Sequence, residues 1–310
     1  MRSATKVAIS TTAKSSTLPR NDSSSLSVSG SFTPVDNDRI LAVFDQAAAR
    51  VAEAVARTDG GRLTGVREGQ YSFDVAADEA ACEVLLEAGF GVYSEESGLH
   101  NPEREMVVVL DPVDGSTNAA RGLPWFSTSF CAVDSEGMRA ALVLNLESNK
   151  AYRAVRGGGA TVDGRPLAPP TGGDRGRGSG PSEQQSLGEA TVGLTYIPPR
   201  HLGWRQYRVL GSIALDMCAV AEGVLDAYID CTNEGHSTWD YLGAALVCAE
   251  AGVAMGEAWG RPLLPEDLTK RRYPVVAATA PLLDEALAQR RTFGADDPAA
   301  IGAGEAKGHH

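Results

Sequence analysis

The sequence predicts a layered α+β or α/β protein with mixed sheets, and three observations support that fold class. Two helical segments come first, a run of strand-like segments follows, and the second half of the chain mixes both kinds. Because this order lacks strict βαβ alternation, it favours stacked α and β layers over a doubly wound parallel sheet. The 310 residues suffice for a substantial core in one or two domains, and no internal repeat is visible.

Composition divides the chain into four parts. Residues 1–35 are rich in Ser and Thr and are predicted to be a disordered tail, with an organelle transit peptide as the alternative. Residues 36–187 form a predicted N-terminal α+β part, residues 188–292 a C-terminal α/β part, and residues 293–310 a polar tail. Within this frame, the Pro-, Gly- and Ser-rich stretch 168–188 is predicted to be a flexible insertion or linker.

The first half begins with two predicted helices. Apolar residues recur at helical spacing over residues 36–58, and Asp59-Gly60-Gly61 ends that pattern. The second helix is predicted over about residues 77–88. The strands that follow are predicted at 90–93, 106–110, 125–133, 140–145 and 151–154. Gly157-Gly158-Gly159 is predicted to be a turn, because it is too short for a nucleotide-binding fingerprint.

The second half mixes strands and helices. Strands are predicted at residues 190–196, 225–229 and 275–279. One helix is predicted from Ser212 to Glu222, with Gly223 ending it, and another at residues 281–290. The helix over residues 238–250 has Ser237 or Thr238 as its predicted N-cap.

Charge and cysteine content exclude several classes of function. The net charge of -12 disfavours a nucleic-acid binder or a membrane-surface protein, although bound cations still permit anionic substrates. The five cysteines are scattered without CxxC spacing, which predicts buried free thiols in a reducing, cytoplasmic compartment and no zinc site. No apolar run approaches the ~20 residues of a membrane helix, so we expect no membrane partner.

The most informative stretch is MVVVLDPVDGSTN, residues 106–118. A buried strand delivers Asp111 to a sheet edge, and Pro112 holds that residue extended because an α conformation clashes with the ring. A tight turn would direct Asp111 and Asp114 toward one point, and Gly115 would let the backbone approach a ligand closely. Ser116 begins a run of helix-capping residues whose free N–H groups can face an anion. Taken alone, the stretch favours a surface turn, because Asp-Pro and Asp-Gly are ordinary turn dipeptides.

Two distant acidic stretches favour a metal site over a surface turn. Ser94-Glu95-Glu96-Ser97 ends an earlier apolar segment, and Trp239-Asp240 opens a late helix. Four carboxylates, without His or Cys at ligand spacing, suit Mg²⁺ or Mn²⁺. The predicted ligands are oxygen atoms of Glu95, Asp111, the Val113 carbonyl, Asp114 and Asp240.

Such a metal site predicts hydrolysis of a phosphate ester. A pair of cations can stabilise the attacking and leaving oxygens of an in-line displacement at phosphorus. We expect the nucleophile to be a water molecule that Ser116 hydrogen-bonds and Asp78 deprotonates. A covalent route through Ser116 is disfavoured, because no histidine stands near it in the sequence to act as a base.

The segments SEES, DPVDGSTN and STWD, the last followed by YLGAALVCAEAG, closely resemble the inositol monophosphatase family of Mg²⁺-dependent, lithium-sensitive phosphatases. The resemblance spans about residues 36–290 and implies an αβαβα five-layer sandwich, a homodimer and up to three Mg²⁺ sites per subunit. It assigns metal binding to Glu95, Asp111, Val113, Asp114 and Asp240. The catalytic residues that it implies are Ser116, Asp78 and Glu95.

The same resemblance implies where the substrate binds. The amides of Gly115 and Ser116 would bind the phosphate, and the segment GSIALDMC would line the leaving-group pocket. The implied substrate contacts are Asp114, Gly211, Ser212, Ile213, Asp230 and Asp240.

Several positions depart from the family pattern and leave the substrate open. Asp230 stands where inositol-selective members usually carry a glutamate, and the segment after it is longer. Arg67 replaces a common lysine, and Val75-Ala76-Ala77-Asp78 lacks a usual threonine.

Four further side chains are considered apart from the predicted site. We interpret Asp74 as a surface charge at a strand start and Trp239 as a packing residue beside Asp240. His236 is interpreted as a polar loop residue, with a substrate contact as the alternative, and Asp216 either faces the pocket or pairs with Arg208.

We therefore expect a Mg²⁺-dependent phosphomonoesterase that hydrolyses a small polyol, sugar or nucleoside phosphate, such as inositol 1-phosphate. The alternatives within the class are histidinol phosphate, fructose 1,6-bisphosphate and a 3′-phosphonucleotide. An alternative of another class is a non-catalytic regulatory relative, which the intact set of acidic residues disfavours.

Overall fold

The structure is a computed structural model that describes residues 36–58, 63–64, 70–168 and 186–294. The predicted tail 1–35, Arg67, nearly all of the 168–188 insertion and the final residues 295–310 lie outside the described residues. Among the described residues, none of the helices has the length and apolar character that crossing a membrane requires. The helices are α1 (Asn37–Arg57), α2 (Ser72–Glu87), α3 (Ser116–Arg121), α4 (Ile213–Glu222), α5 (Thr238–Glu250) and α6 (Ala280–Arg290), with a short 3₁₀ helix at Leu187–Glu189.

A large sheet is built from the first half of the chain. Its strands run in the spatial order β2-β1-β3-β4-β5-β6-β7-β8. Only β1 and β3 pair in parallel, and the other neighbours are antiparallel. The strands are β1 (Gly91–Ser94), β2 (Gly98–His100), β3 (Val107–Asp114), β4 (Ser127–Asp134), β5 (Gly137–Asn145), β6 (Ala151–Val155), β7 (Gly159–Val162) and β8 (Arg165–Pro166).

A smaller sheet follows in the second half. Its strands are β9 (Thr191–Thr195), β10 (Gln206–Arg208), β11 (Ala227–Asp230), β12 (Ala254–Glu257) and β13 (Pro274–Ala277). They run in the order β10-β9-β11-β13-β12, with β10, β9 and β11 mutually parallel and β13 antiparallel to both of its neighbours. Both sheets are therefore mixed, as predicted from the lack of βαβ alternation.

The helices fill the space around the two sheets in layers. The pair α1 and α2 packs on one face of the large sheet, and α5 covers its other face. The helix α4 packs on α5 and contacts strands of both sheets, while α6 lies against β11, β12 and β13. The order is helices, sheet, helices, sheet, helix, and the predicted αβαβα sandwich is confirmed. The central helices are apolar nearly all round because they are buried between two sheets.

Most predicted elements appear within a few residues of their expected bounds, with three corrections. The helix α2 begins at Ser72, five residues before the predicted 77, because the Asp74 carboxylate accepts the Tyr71 N–H and closes a capping box. The strand predicted to end at Leu110 continues to Asp114 as β3. The short strands β2, β7, β8, β10 and β12 were not predicted, and Gly159, the end of the predicted glycine turn, is the first residue of β7.

Candidate active site

Three acidic side chains from distant parts of the chain meet at one point. Glu95 directly follows β1, Asp111 lies in β3, and Asp240 is in the first turn of α5. One carboxylate oxygen from each lies within 4.8 Å of the others. The parallel pairing of β1 with β3 explains the first contact, because it aligns Ser94 with Leu110 and places the residues that follow them side by side. Packing of α5 against β3 and β4 brings the third acid.

A β-bulge in β3 orients the two aspartates of the DPVD sequence. Asp111 pairs with Ser129 and Asp114 with Ser127, so β3 contains one more residue than β4 over this interval. The extra residue bends the strand, as bulges do near functional sites. The Val113 N–H donates to Asp111 Oδ1 at 3.0 Å, which fixes the carboxylate after Pro112. The predicted tight turn is thus a bulged strand. It leaves the Asp114 carboxylate near enough to raise the pKa of Asp111, but outside the group formed by Glu95, Asp111 and Asp240.

Asp114 faces the second half of the chain. Its Oδ2 accepts the Ser212 hydroxyl at 2.6 Å and the Ala214 N–H at 2.8 Å, at the start of α4. Burial raises its pKa to about 7, while these two hydrogen bonds act in the opposite direction. The predicted substrate-side residues Ser212 and Ile213 therefore lie beside the predicted metal ligand Asp114.

The electrostatics of the cluster fit a cation. Burial raises the pKa of Asp111 well above its ordinary value, and the negative charges of Glu95 and Asp114 raise it further. Carboxylates that repel one another in a buried site either retain protons or bind a positive ion. Because the donors are all oxygen atoms, the residues fit Mg²⁺ or Mn²⁺ better than zinc or copper.

The turn after Asp114 has the close backbone approach expected from its glycine. Gly115 has φ +92°, and a Cβ there would lie 3.0 Å from the Gly211 carbonyl oxygen and 3.1 Å from that of Trp125. Asn118 joins the same segments, since its Nδ2 donates at 2.7 Å to both the Trp125 and the Leu210 carbonyls. The DGSTN turn and the predicted leaving-group segment at Gly211 are therefore in direct contact.

Ser116 is placed at the entrance to α3, as predicted. Its hydroxyl donates to the Val113 carbonyl oxygen at 2.8 Å. Its proton is thereby held by the protein, and its oxygen lone pairs can accept a hydrogen bond from a water molecule. Ser116 and the carbonyl that we predicted as a metal ligand thus form one unit.

The two aspartates of α2 have different surroundings. Asp78 is buried, and its Oδ1 accepts the Ser94 hydroxyl and, at 3.5 Å, the Cys82 thiol. Asp74, one helical turn earlier, is only 3% exposed and is among the carboxylates that raise the pKa of Asp111. The interpretation of Asp74 as a surface charge at a strand start is wrong, because it lies in the buried first turn of a helix. The structure thus associates Asp74 with the carboxylate cluster and Asp78 with the support of Ser94.

The loop between β11 and α5 holds residues whose role the sequence did not reveal. His236 Nδ1 lies 3.1 Å from Asp240 Oδ2, and its Nε2 lies 3.6 Å from Asp230 Oδ1. Asp230 itself is 0% exposed, behind the histidine. His236 was interpreted as a polar loop residue, and nothing in its spacing indicates that the fold inserts it between two carboxylates.

A second contact, between Trp125 and Asp216, was also missed. The indole Nε1 donates to Asp216 Oδ1 at 2.8 Å, and Asp216 is buried in α4. Of the two interpretations of Asp216, the pairing with Arg208 is not observed, because Arg208 donates to the Tyr207 carbonyl and to Gln206. Burial raises the pKa of Asp216, and the Asp114 carboxylate is near enough to raise it further. Trp239 packs its ring against Tyr93 with centroids 5.0 Å apart, which supports its predicted packing role.

Comparison with known proteins identifies the family. The model of the inositol monophosphatase family matches residues 36–294. The chain belongs to the inositol monophosphatase family. As a member of it, the protein is a phosphoric monoester hydrolase of a metal-dependent family, as predicted.

Curated members and solved structures agree with this assignment. The chain is 26% identical over 220 residues to a fructose-1,6-bisphosphatase/inositol-1-monophosphatase of Methanocaldococcus jannaschii, which covers 68% of this chain and 81% of that protein. It is 32% identical over 228 residues to an inositol-1-monophosphatase of Mycobacterium bovis, covering 69% and 74% of the two chains. The inositol monophosphatase structure from Anabaena superposes with a TM-score of 0.65 at 20% identity, over 82% of this chain and 96% of that one, and so shares the fold.

Proposed function

We propose that this family member is a Mg²⁺-dependent phosphatase that hydrolyses a small polyol, sugar or nucleoside phosphate with a water nucleophile. The observation that carries the proposal is the convergence of Glu95, Asp111 and Asp240 within 4.8 Å of one another. These residues would hold Mg²⁺ or Mn²⁺, together with Asp114 and the Val113 carbonyl, as up to three ions. When bound, the ions would supply charge neutralisation at the phosphate and a lower pKa for the attacking water.

In this proposal the chain's own residues orient the phosphate and the water. The amides of Gly115 and Ser116 bind phosphate oxygens, because they stand at the start of α3, where the first N–H groups have no acceptor within the helix. Ser116 orients the water through its hydroxyl oxygen, since its proton is donated to Val113. Glu95 is both a ligand and part of this catalytic group.

A further carboxylate is needed to accept the proton of the water. The sequence assigned this role to Asp78, whose carboxylate is engaged by Ser94 and Cys82. Asp74 is buried as well and its Oδ2 accepts the Tyr71 N–H, but its charge raises the pKa of Asp111, and this link to the cluster supports it as the proton acceptor. We therefore propose Asp74 for this step and a structural role for Asp78.

The leaving group is proposed to face Gly211, Ser212 and Ile213. The contact of Ser212 with Asp114 at 2.6 Å supports this side of the site. Asp230 and Asp240 were also predicted substrate contacts, but the complete burial of Asp230 favours a different role, considered below.

The test of catalysis is release of phosphate with and without Mg²⁺, from the wild type and from Asp111→Asn and Asp240→Asn. We expect each variant to lose several decades of kcat, because one charge of the cluster is removed while the shape is kept. A generic ester such as p-nitrophenyl phosphate suffices for this test. Full activity of Asp111→Asn would contradict the proposal, and no release by the wild type would favour the regulatory relative.

The substrate itself calls for a panel of esters. Inositol 1-phosphate and fructose 1,6-bisphosphate come first, because relatives carrying both names match the chain. Histidinol phosphate and a 3′-phosphonucleotide complete the panel. The ester with the highest kcat/KM identifies the class, and equal values for all would show that the leaving-group side is not selective.

We also propose a homodimer in the cytoplasm. The five cysteines are free and buried, in keeping with a reducing compartment. Dimerisation rests on the family resemblance and is tested by light scattering after size-exclusion chromatography. A monomer mass at working concentrations would refute it.

A further inference from the structure

We propose that His236 is a positioning residue for Asp240, and that Asp230 holds His236 in place instead of contacting the substrate. This inference rests on the proposed role of Asp240 as a metal ligand. The residues concerned lie in and beside the loop between β11 and α5, residues 231–237. The sequence motifs assigned no role to this loop.

The backbone of this loop is held rigidly. The His236 N–H donates to the Arg272 carbonyl at 2.7 Å, and the Arg272 N–H donates back to His236 at 2.9 Å. Gly235 has φ +72°, and a Cβ there would lie only 2.8 Å from the Arg272 carbonyl oxygen. The glycine is therefore required for this close approach, and the position of the His236 ring is fixed by it.

Both nitrogens of the ring face polar groups. Nδ1 lies 3.1 Å from Asp240 Oδ2, while Nε2 lies 3.6 Å from Asp230 Oδ1 and 3.4 Å from the Tyr228 hydroxyl. The side chain is 13% exposed. The imidazole therefore bridges a buried acid on one side and an acid of the candidate metal site on the other.

The contact restricts the orientation of Asp240. Its Oδ2 receives both the His236 ring and the Ser237 N–H, the latter at 2.8 Å. Because both donors use Oδ2, neither of them occupies Oδ1, which stays available to a cation shared with Glu95 and Asp111. Residues that orient a ligand in this way typically change metal affinity by about 10- to 100-fold when they are removed.

Asp230 is built into the protein behind the histidine. It is 0% exposed, and its Oδ1 accepts the Thr232 N–H at 2.8 Å. The buried guanidinium of Arg290 donates to the carbonyls of Asp230 and Thr232 and so fixes the backbone at the end of β11. Because Asp230 is fully buried and its carboxylate lies 3.6 Å from the His236 ring, we infer that the acid acts on the site through the histidine and not by direct contact with a substrate hydroxyl.

The first experiment compares His236→Asn, His236→Gln and His236→Ala by Mn²⁺ binding to the substrate-free protein, using electron paramagnetic resonance or calorimetry. The amide nitrogen of Asn stands where Nδ1 stood and can still donate to Asp240, whereas that of Gln stands near Nε2. We expect His236→Ala and His236→Gln to raise the Kd for Mn²⁺ by about tenfold or more. The Kd of His236→Asn is expected to stay within about threefold of the wild-type value. His201→Asn, at an exposed histidine whose ring lies against Trp204, is the matched control and is expected to leave the Kd unchanged.

Unchanged or tighter Mn²⁺ binding in His236→Ala, or equal effects of Asn and Gln, would overturn the proposal. Thermal unfolding in EDTA distinguishes the positioning role from a purely structural one. A purely structural role would lower the unfolding temperature of His236→Asn and His236→Ala alike. If the wild type binds Mn²⁺ but releases no phosphate, the proposed function fails while the inference about His236 stands.

The second experiment separates the two roles of Asp230. Asp230→Ala is expected to raise the Kd for Mn²⁺ in the same direction as His236→Ala, with KM unchanged at saturating Mg²⁺. A raised KM with an unaltered Kd for Mn²⁺ would instead make Asp230 a substrate contact, and our assignment would be wrong.

Discussion

At the scale of single residues, Asp74 and Asp78 show how neighbours decide a role. They lie one turn apart on the same face of α2, ~6 Å along its axis. Asp74 contributes to the charge around Asp111, whereas Asp78 accepts the Ser94 hydroxyl just before Glu95. Two aspartates one turn apart thus have different contacts, and this difference is why we propose different roles for them.

We predict that Asp74→Asn lowers kcat far more than Asp78→Asn does. General acid–base groups typically contribute about 10²- to 10⁴-fold, and Asn keeps the size of the side chain while removing its basicity. Steady-state kinetics at saturating Mg²⁺ on a generic ester measure the difference. A larger loss of kcat in Asp78→Asn would return the catalytic role to the residue predicted from the sequence.

What the sequence could predict at this scale depended on local context. Glu95, Asp111 and Asp240 stand at ends of elements that their own neighbours define, so their convergence could be anticipated. His236 and the pair Trp125 and Asp216 could not, because their partners lie in other elements and the contacts exist only after folding. Asp74 was misjudged because the start of its helix was misjudged.

At the scale of elements, the long segments were predictable and the short ones were not. The apolar spacing of α1 and the β-branched run of β3 carry their structure locally. The start of α2 was missed because Tyr71 is not a usual N-cap residue, and the box with Asp74 compensates for that. The strand β10 is exposed throughout and β12 lacks β-branched residues, so pairing with β9 and β13 defines them.

Arg290 in α6 is expected to be essential for stability. Its guanidinium is completely buried, donates to the Asp230, Thr232 and Phe293 carbonyls, and lies 4.9 Å from the centre of the Tyr273 ring. Arg290→Met would leave three carbonyls without these donors, and we predict a loss of about 3–5 kcal/mol in the free energy of unfolding.

Urea unfolding in the absence of metal measures this loss. Arg50→Met is the matched control, because Arg50 forms an exposed ion pair with Glu83 and such pairs contribute below about 1 kcal/mol. Equal stability of the two variants would show that the carbonyls find other donors.

The packing of α5 on the large sheet is tested at Gly243. A Cβ there would lie 2.6 Å from Ser129 Oγ and 3.2 Å from the Phe130 carbonyl oxygen. We predict that Gly243→Ala destabilises the protein by about 1–3 kcal/mol despite the better helix propensity of alanine, because α5 must move away from β4. Since Asp240 lies on the same helix, the variant should also bind Mn²⁺ more weakly.

Chemical denaturation and Mn²⁺ titration of Gly243→Ala provide the measurement. Gly188→Ala is the control, since the nearest atom to a Cβ at that position is 3.7 Å away, an ordinary contact. A stability of Gly243→Ala at or above that of the wild type would show that Ser129 rotates aside without cost.

At the scale of the whole molecule, the buried acids make stability depend on pH and on metal. Burial raises the pKa of Asp114 to about 7, whereas an unfolded chain titrates near the ordinary value of 3.8. The pKa of His236 is also raised, to about 9, because the Asp230 and Asp240 carboxylates outweigh its burial. In both cases the metal-free folded state holds more protons than the unfolded state, so its stability must fall as pH rises.

We therefore predict that the unfolding temperature in EDTA falls by roughly 5–10 °C between about pH 5 and pH 8, at ~1.4 kcal/mol per pKa unit. Saturating Mg²⁺ is expected to reduce this fall, because the cation replaces the protons on the carboxylates. Differential scanning fluorimetry across this range measures both curves. A metal-free curve that rises with pH would contradict the raised pKa values.

The site residues come from both halves of the chain, and this origin affects how the sequence of the enzyme can evolve. The DPVD bulge and the glutamate after β1 belong to the large sheet, whereas Gly211 and the β11 loop belong to the part of the chain that builds the small one. Asp240 and the β11 loop that we propose to position it also belong to this second part. On our proposal, mutations near Gly211 would alter which ester is accepted while the three acids keep their places, whereas mutations in the β11 loop would also change metal binding. We therefore expect natural variants with new substrates to differ first around Gly211, and those that differ in the β11 loop to differ in metal affinity as well.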